Sequence, residues 1–104
     1  MPPDYAALRR AFEEKTYSLT LHASDRAVLR DIDDFEIEEA VIGGVVIEDY
    51  SEDKYGPSCL IVGVTKAGRG VLHVHMSYPP KVRVITVYEP SLDEWESDWK
   101  TRKS

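Results

Sequence analysis

The sequence carries a single cysteine, Cys59. That excludes an intrachain disulfide and points to a reducing, cytoplasmic setting. Long apolar runs are missing as well. A stretch such as AVIGGVVI, residues 40–47, falls far short of the ~20 residues that a membrane-spanning helix needs. The amino-terminal MPPDYAALRRAFEEK has no apolar core of the signal-peptide kind and carries mixed charge, so no membrane association is expected. No internal repeat, low-complexity segment or interdomain linker is visible. An excess of base is also lacking. Thirteen Lys and Arg against nineteen Asp and Glu leave a net charge of −6, an argument against nucleic acid, whose binders are usually basic.

The distribution of that charge softens the argument. Residues 31–55 hold ten acidic side chains and one base, Lys54, whereas residues 1–30 and 56–104 are each slightly basic. A bipolar surface of this kind is compatible with a nucleic-acid face, and the acidic block is suited to a basic partner. With 104 residues, 42% of them hydrophobic, the chain forms one domain with a modest core.

Periodicity divides the chain in two. Helical spacing of Tyr5, Leu8 and Phe12 predicts a first helix within DYAALRRAFEEK. TYSLTL, residues 16–21, alternates as a short strand or extended arm. A second helix is expected from about His22 or Ala23 to Arg30, with Val28, Leu29 and Ile32 as its apolar side and Ala23 and Ala27 as a small-residue side that permits close packing. A third follows Asp33 or Asp34, either of which suits the cap, and stops at Gly43-Gly44. From there VVIEDY, CLIVGVT, VLHVHMS and RVITVYEP read as four strands joined by turns at 51–58, 66–70 and 78–81. The tail SLDEWESDWKTRKS predicts a last helical turn or two through Trp95 and Trp99, with residues 96–104 frayed. The expectation is an α+β domain, its helices packed on a roughly four-stranded, largely antiparallel sheet.

Several side chains have the chemistry for a site. His22, Arg26 and Arg30 recur every four residues and form a column along one edge of the second helix. Metal-free RNA cleavage needs a 2′-hydroxyl deprotonated, a leaving 5′-oxygen protonated and phosphate charge stabilised. A histidine, a tyrosine such as Tyr88 and two arginines divide those tasks naturally. The plainer reading pairs Arg26 and Arg30 with Glu38 or Glu39 and makes His22 a helix cap. On the third strand, period two places His73, His75 and Ser77 opposite Leu72, Val74 and Met76. An HxH pair is the minimum for a metal site to which His22 adds a third ligand, yet the pattern is common and no further ligand completes it. On the fourth, Arg83, Ile85 and Val87 oppose Val84, Thr86 and Tyr88. Cys59 opens an apolar strand, with no basic neighbour to activate it. Gly68-Arg69-Gly70 lacks the following helix of a phosphate-binding loop and reads as a hairpin turn.

Taken in order, HASDRAVLRDI, VIEDY, GPSCLIVG, LHVHMS and ITVYEPSLDEW resemble a small bacterial family of uncharacterised domains, over a core of residues 17–95. The family pattern falls on His22, Arg26, Arg30, His73, Tyr88, Pro90 and Trp95. The resemblance implies a sheet-and-helix fold similar to the RelE, ParE and MqsR toxins of toxin–antitoxin modules. It further implies a neighbouring antitoxin with paired CxxC zinc knuckles, and it sets Tyr88 in the place of the tyrosine of RelE-like nucleases. The chain departs from those nucleases in its acidity, leaving Arg69, Lys81 and Arg83 as the strand-side bases for RNA phosphates. The expected function is thus a toxin-like RNA endonuclease that needs no metal or cofactor, with His22, Arg26, Arg30, His73 and Tyr88 as the catalytic set. A non-catalytic interaction module or ParE-like target inhibitor is the alternative, and a metal-dependent hydrolase trails both.

Overall fold

The computed structural model describes residues 5–52, 56–66 and 69–104. Three nine-residue helices, α1 (Tyr5–Glu13), α2 (Leu21–Leu29) and α3 (Asp34–Ile42), precede most of a five-stranded sheet. Its strands are β1 (Ser18–Leu19), β2 (Val45–Tyr50), β3 (Ser58–Val64), β4 (Val71–Ser77) and β5 (Arg83–Tyr88), in spatial order β1-β5-β4-β3-β2. β2 to β5 form the expected antiparallel meander. The sheet is mixed rather than four-stranded, because the arm after α1 lies parallel to β5, Ser18 opposite Arg83. Residues 53–55 and 67–68, inside two predicted turns, lie outside the described residues, and so does Gly68 of the GRG motif. Thr65 falls just after β3, where its N–H donates to the Gly70 carbonyl at 2.8 Å.

Capping explains the helix limits. Thr20 starts α2, its hydroxyl accepting from the Ala23 N–H at 3.0 Å, so the cap is Thr20 rather than His22. Asp33 starts α3, where its N–H donates to Glu36 Oε1 at 3.2 Å as half of a capping box. The helices cover one face of the sheet. Leu72, Val74, Met76, Val84 and Val87 are buried there against Leu8, Phe12, Ile37 and Val41. α3 approaches β3 so closely that a Cβ on Gly63 would collide with the Ala40 backbone. No side chain larger than hydrogen fits there.

Two sequence expectations hold only in part. α2 packs through its small side: Ala23 and Ala27 are buried, while Leu21, Val28 and Leu29 are 80%, 80% and 74% exposed. The close approach of α2 to β5 leaves room only for alanine, so the larger residues point to solvent and only Ile32, past the helix, is buried. In β5, Val84 and Val87 both face the core. The register jumps between His75 and Met76, which pair with Thr86 and Val84, so Ile85 is the extra residue of a bulge. The period-two face assignment therefore holds on either side of Ile85 but not across it.

The tail is also ordered differently. Residues 91–104 form turns and an isolated bridge between Trp95 and Arg102, with no helix assigned. They lie on the sheet face opposite the helices, where Trp95 is 1% exposed and Arg102 stacks over its ring at 4.6 Å. That segment is anchored, not frayed. No helix among the described residues is long and apolar enough to cross a membrane.

Candidate functional site

β4 presents His73 and His75 to the face that the tail covers, and their neighbours give the two imidazoles different roles. His73 is completely buried. Its Nε2 lies 2.7 Å from the Trp99 carbonyl, which only accepts, so Nε2 carries the proton and donates. Nδ1 of the neutral ring is then an acceptor, and Tyr88 Oη, at 3.2 Å, donates to it. The Trp95 ring meets His73 edge-on at 4.4 Å. Burial pushes the His73 pKa down and that of Tyr88 up to about 12, so both stay neutral near pH 7. His73 and Tyr88 are thus brought together, as a clasp that ties β4 and β5 to the tail. With both ring nitrogens engaged, His73 has no lone pair to offer a metal.

Beside this clasp, Arg102 grips Glu48 through two bonds of 2.8 and 3.0 Å, and Tyr50 donates to the same carboxylate. The Arg102 guanidinium holds the Glu48 carboxyl below its ordinary range. Tyr50 meets the His75 ring edge-on at 5.2 Å, and His75 Nε2 lies 2.9 Å from the buried Ser58 Oγ. His75 is half-buried.

His75 forms part of the lining of a cleft of about 730 Å³. Pro57, Tyr78, Pro79 and Ile85 supply apolar wall, and the side chains of Lys81 and Arg83 contribute the positive charge. Two hydroxyls in the lining are already used. Thr20 Oγ1 donates to the Ile85 carbonyl at 3.2 Å, and Ser77 Oγ donates to the Lys81 carbonyl at 2.8 Å while accepting from the Arg83 N–H at 3.0 Å. The Ser77 bonds shape the β4–β5 turn, whose Lys81 and the following Arg83 line the cleft. Among the described residues neither cation is ion-paired. An imidazole beside two available cations in a concave, largely apolar surface has the chemistry to hold a phosphate and move a proton.

The remaining predicted residues lie elsewhere. His22, Arg26 and Arg30 are exposed along α2. Arg30 Nη1 donates to the Val87 carbonyl at 2.8 Å and Thr20 Oγ1 to that of Ile85, so α2 seals the β5 edge where β1 stops pairing. Neither Arg26 nor Arg30 pairs with Glu38 or Glu39. Glu38 takes Lys15 at 2.6 Å and Tyr17 at 2.7 Å, and Glu39 accepts from the Lys66 N–H at 3.2 Å. Arg69 is saturated by Glu36 at 2.5 Å and Glu89 at 2.7 Å, with the Asp31 carbonyl as a further acceptor. Of the predicted phosphate binders, Lys81 and Arg83 reach the cleft and Arg69 is held at the α3 end of the molecule.

Sequence reasoning did not place His75 in a cleft or find the apolar walls around it. The HxH spacing flagged both histidines, but only the tail's path decides that His73 is sealed. Among the described residues no group of three His, Cys, Asp or Glu side chains is arranged to hold a metal. Searches of curated proteins and of solved structures each returned no match. A family model does match residues 19–89, a span that runs from β1 to the residue after β5 and includes the cleft's His75, Lys81 and Arg83. The chain belongs to the family described as a domain of unknown function, DUF4258.

Proposed function

We propose that this protein is a toxin-like, metal-independent RNA endonuclease that works in the His75 cleft. The observation that carries the reading is the meeting of His75 with the unpaired Lys81 and Arg83 in one concavity. His75 removes the 2′-hydroxyl proton and, as imidazolium, returns one to the departing 5′-oxygen. Lys81 and Arg83 hold the phosphate and its developing charge. Tyr88, which the resemblance sets at the place of the RelE-like tyrosine, acts through His73 to position the β4–β5 floor. Neutralisation by a zinc-knuckle antitoxin belongs to the same reading.

The test is cleavage of a synthetic RNA by purified protein in EDTA, with 5′ ends mapped. Discrete cuts are expected. His75→Ala should slow them by about 100-fold or more, and Arg83→Ala by a comparable factor. Absence of cuts, or a fully active His75→Ala, overturns the proposal. A second reading, the non-catalytic interaction module, draws on the solvent-facing Leu21, Val28 and Leu29 of α2. It predicts growth arrest on induced expression with no new RNA 5′ ends.

A further inference from the structure

Three hydroxyls of the cleft are engaged before any ligand arrives. Thr20 and Ser77 are bonded to the β5 backbone and the β4–β5 turn, and the Tyr78 hydroxyl donates to Asp49 Oδ2 at 3.2 Å. A ligand therefore meets an apolar hollow between Pro57, Tyr78, Pro79 and Ile85, the His75 ring, and the two cations of Lys81 and Arg83. The complementary molecule has a flat, weakly polar body and an anionic group at one end. A nucleotide has that form, and 730 Å³ lies within the ~300–1,000 Å³ of clefts that enclose small organic ligands.

Ile85, the extra residue between Val84 and Thr86, lines the same cleft as Arg83 and His75. Resting on the reading that this cleft handles RNA, we infer that it seats one unpaired nucleobase of a single strand, with the adjoining phosphate on Lys81 and Arg83. A base within an A-form duplex is stacked on both faces and presents only its edge in the grooves, never its flat face. Only a base that has left its stack fills an apolar concavity.

The test uses a fluorescent 2′-O-methyl octanucleotide, which is not cleavable by 2′-hydroxyl attack, free and annealed to its complement. The full chain should bind the single strand about ten-fold more tightly than the duplex, the scale of one base–aromatic stack. A nucleoside monophosphate should compete, and inorganic phosphate at the same concentration should not. Arg83→Ala should weaken binding and reduce its salt dependence by about one counterion. Ile85→Glu, with folding checked by circular dichroism, should abolish the single-strand preference. The competition arm needs no variant.

Equal affinity for duplex, or competition by phosphate as effective as by the monophosphate, overturns the base seat and leaves endonuclease activity standing. Single-strand preference without cleavage of the ribose version has the opposite meaning: the seat is correct and the nuclease reading fails.

Discussion

His73 shows how one buried titratable side chain links architecture to pH. Its pKa lies below the ordinary value near 6.5, so the unfolded chain binds a proton more readily than the folded one. Stability is then lost as pH falls through about 6.5 towards the folded-state value, and the loss levels off below it. Glu36 and Glu48 act lower, since Arg69 and Arg102 hold their pKa values below the ordinary carboxylate range near 4.5. Their contribution is present above that value and lost as pH falls through the depressed ones. Thermal melts from pH 8 to 4 should therefore show a decline beginning near 6.5, and His73→Gln should flatten that part alone. An unchanged upper segment in the variant would remove His73 as its cause. In the same cluster, Trp95→Ala should cost about 3–5 kcal/mol, because its ring is buried against His73. Arg102→Ala should cost about 1 kcal/mol, its side chain being 54% exposed. Chemical denaturation of the two variants measures the contrast.

Element packing makes sharper demands than composition suggests. The contact of α3 with β3 depends on Gly63, where a Cβ would lie 1.9 Å from the Ala40 carbonyl oxygen. Gly63→Ala should destabilise by roughly 3 kcal/mol or prevent folding, an overpacking effect in a region with no slack. α2 gives the reverse case. Ala27 faces β5, so Ala27→Leu should cost about 1–3 kcal/mol, whereas Val28→Lys and Leu29→Gln should leave the melting temperature almost unchanged. Hydrophobic periodicity located this helix and its close-packing small side, but it misplaced Val28 and Leu29. The rule assumes that larger apolar residues face inward, and it gives way where a helix lies too near a strand for anything beyond alanine. The β5 bulge was hidden for a similar reason. An extra residue in a strand leaves no compositional mark, and period two reads straight through it.

Across the whole molecule, the acidic block does less to repel RNA than its formal charge implies. Glu36, Glu38 and Glu48 are each paired with a cation from a distant part of the chain: Arg69, Lys15 and Arg102. These pairs tie α3 and β2 to the hairpin, the first loop and the tail. Arg69 is the most connected of the cations, and Arg69→Ala would leave the Glu36 carboxylate largely buried without its counterion. A loss of roughly 3 kcal/mol is expected by denaturant unfolding, the scale of a broken buried pair. RNA binding, if measured alongside in the folded fraction, should be unaffected, because Arg69 is not part of the cleft.

The sequence by itself determined the three helices, the four antiparallel strands and their faces on either side of the bulge. Those features follow from local periodicity, caps and turns, which act over a few residues. It also singled out His73, Tyr88, Lys81 and Arg83. Only the tertiary structure decided that His73 is sealed under the tail while His75 lines the cleft, that Arg69 is consumed by two carboxylates, and that Arg30 seals a strand edge. Each of those outcomes depends on partners tens of residues away, brought close by the fold, and neighbouring residues carry no sign of them. The cleft is of that kind, assembled from the end of β1, the approach to β3, the β4–β5 turn and one bulged residue.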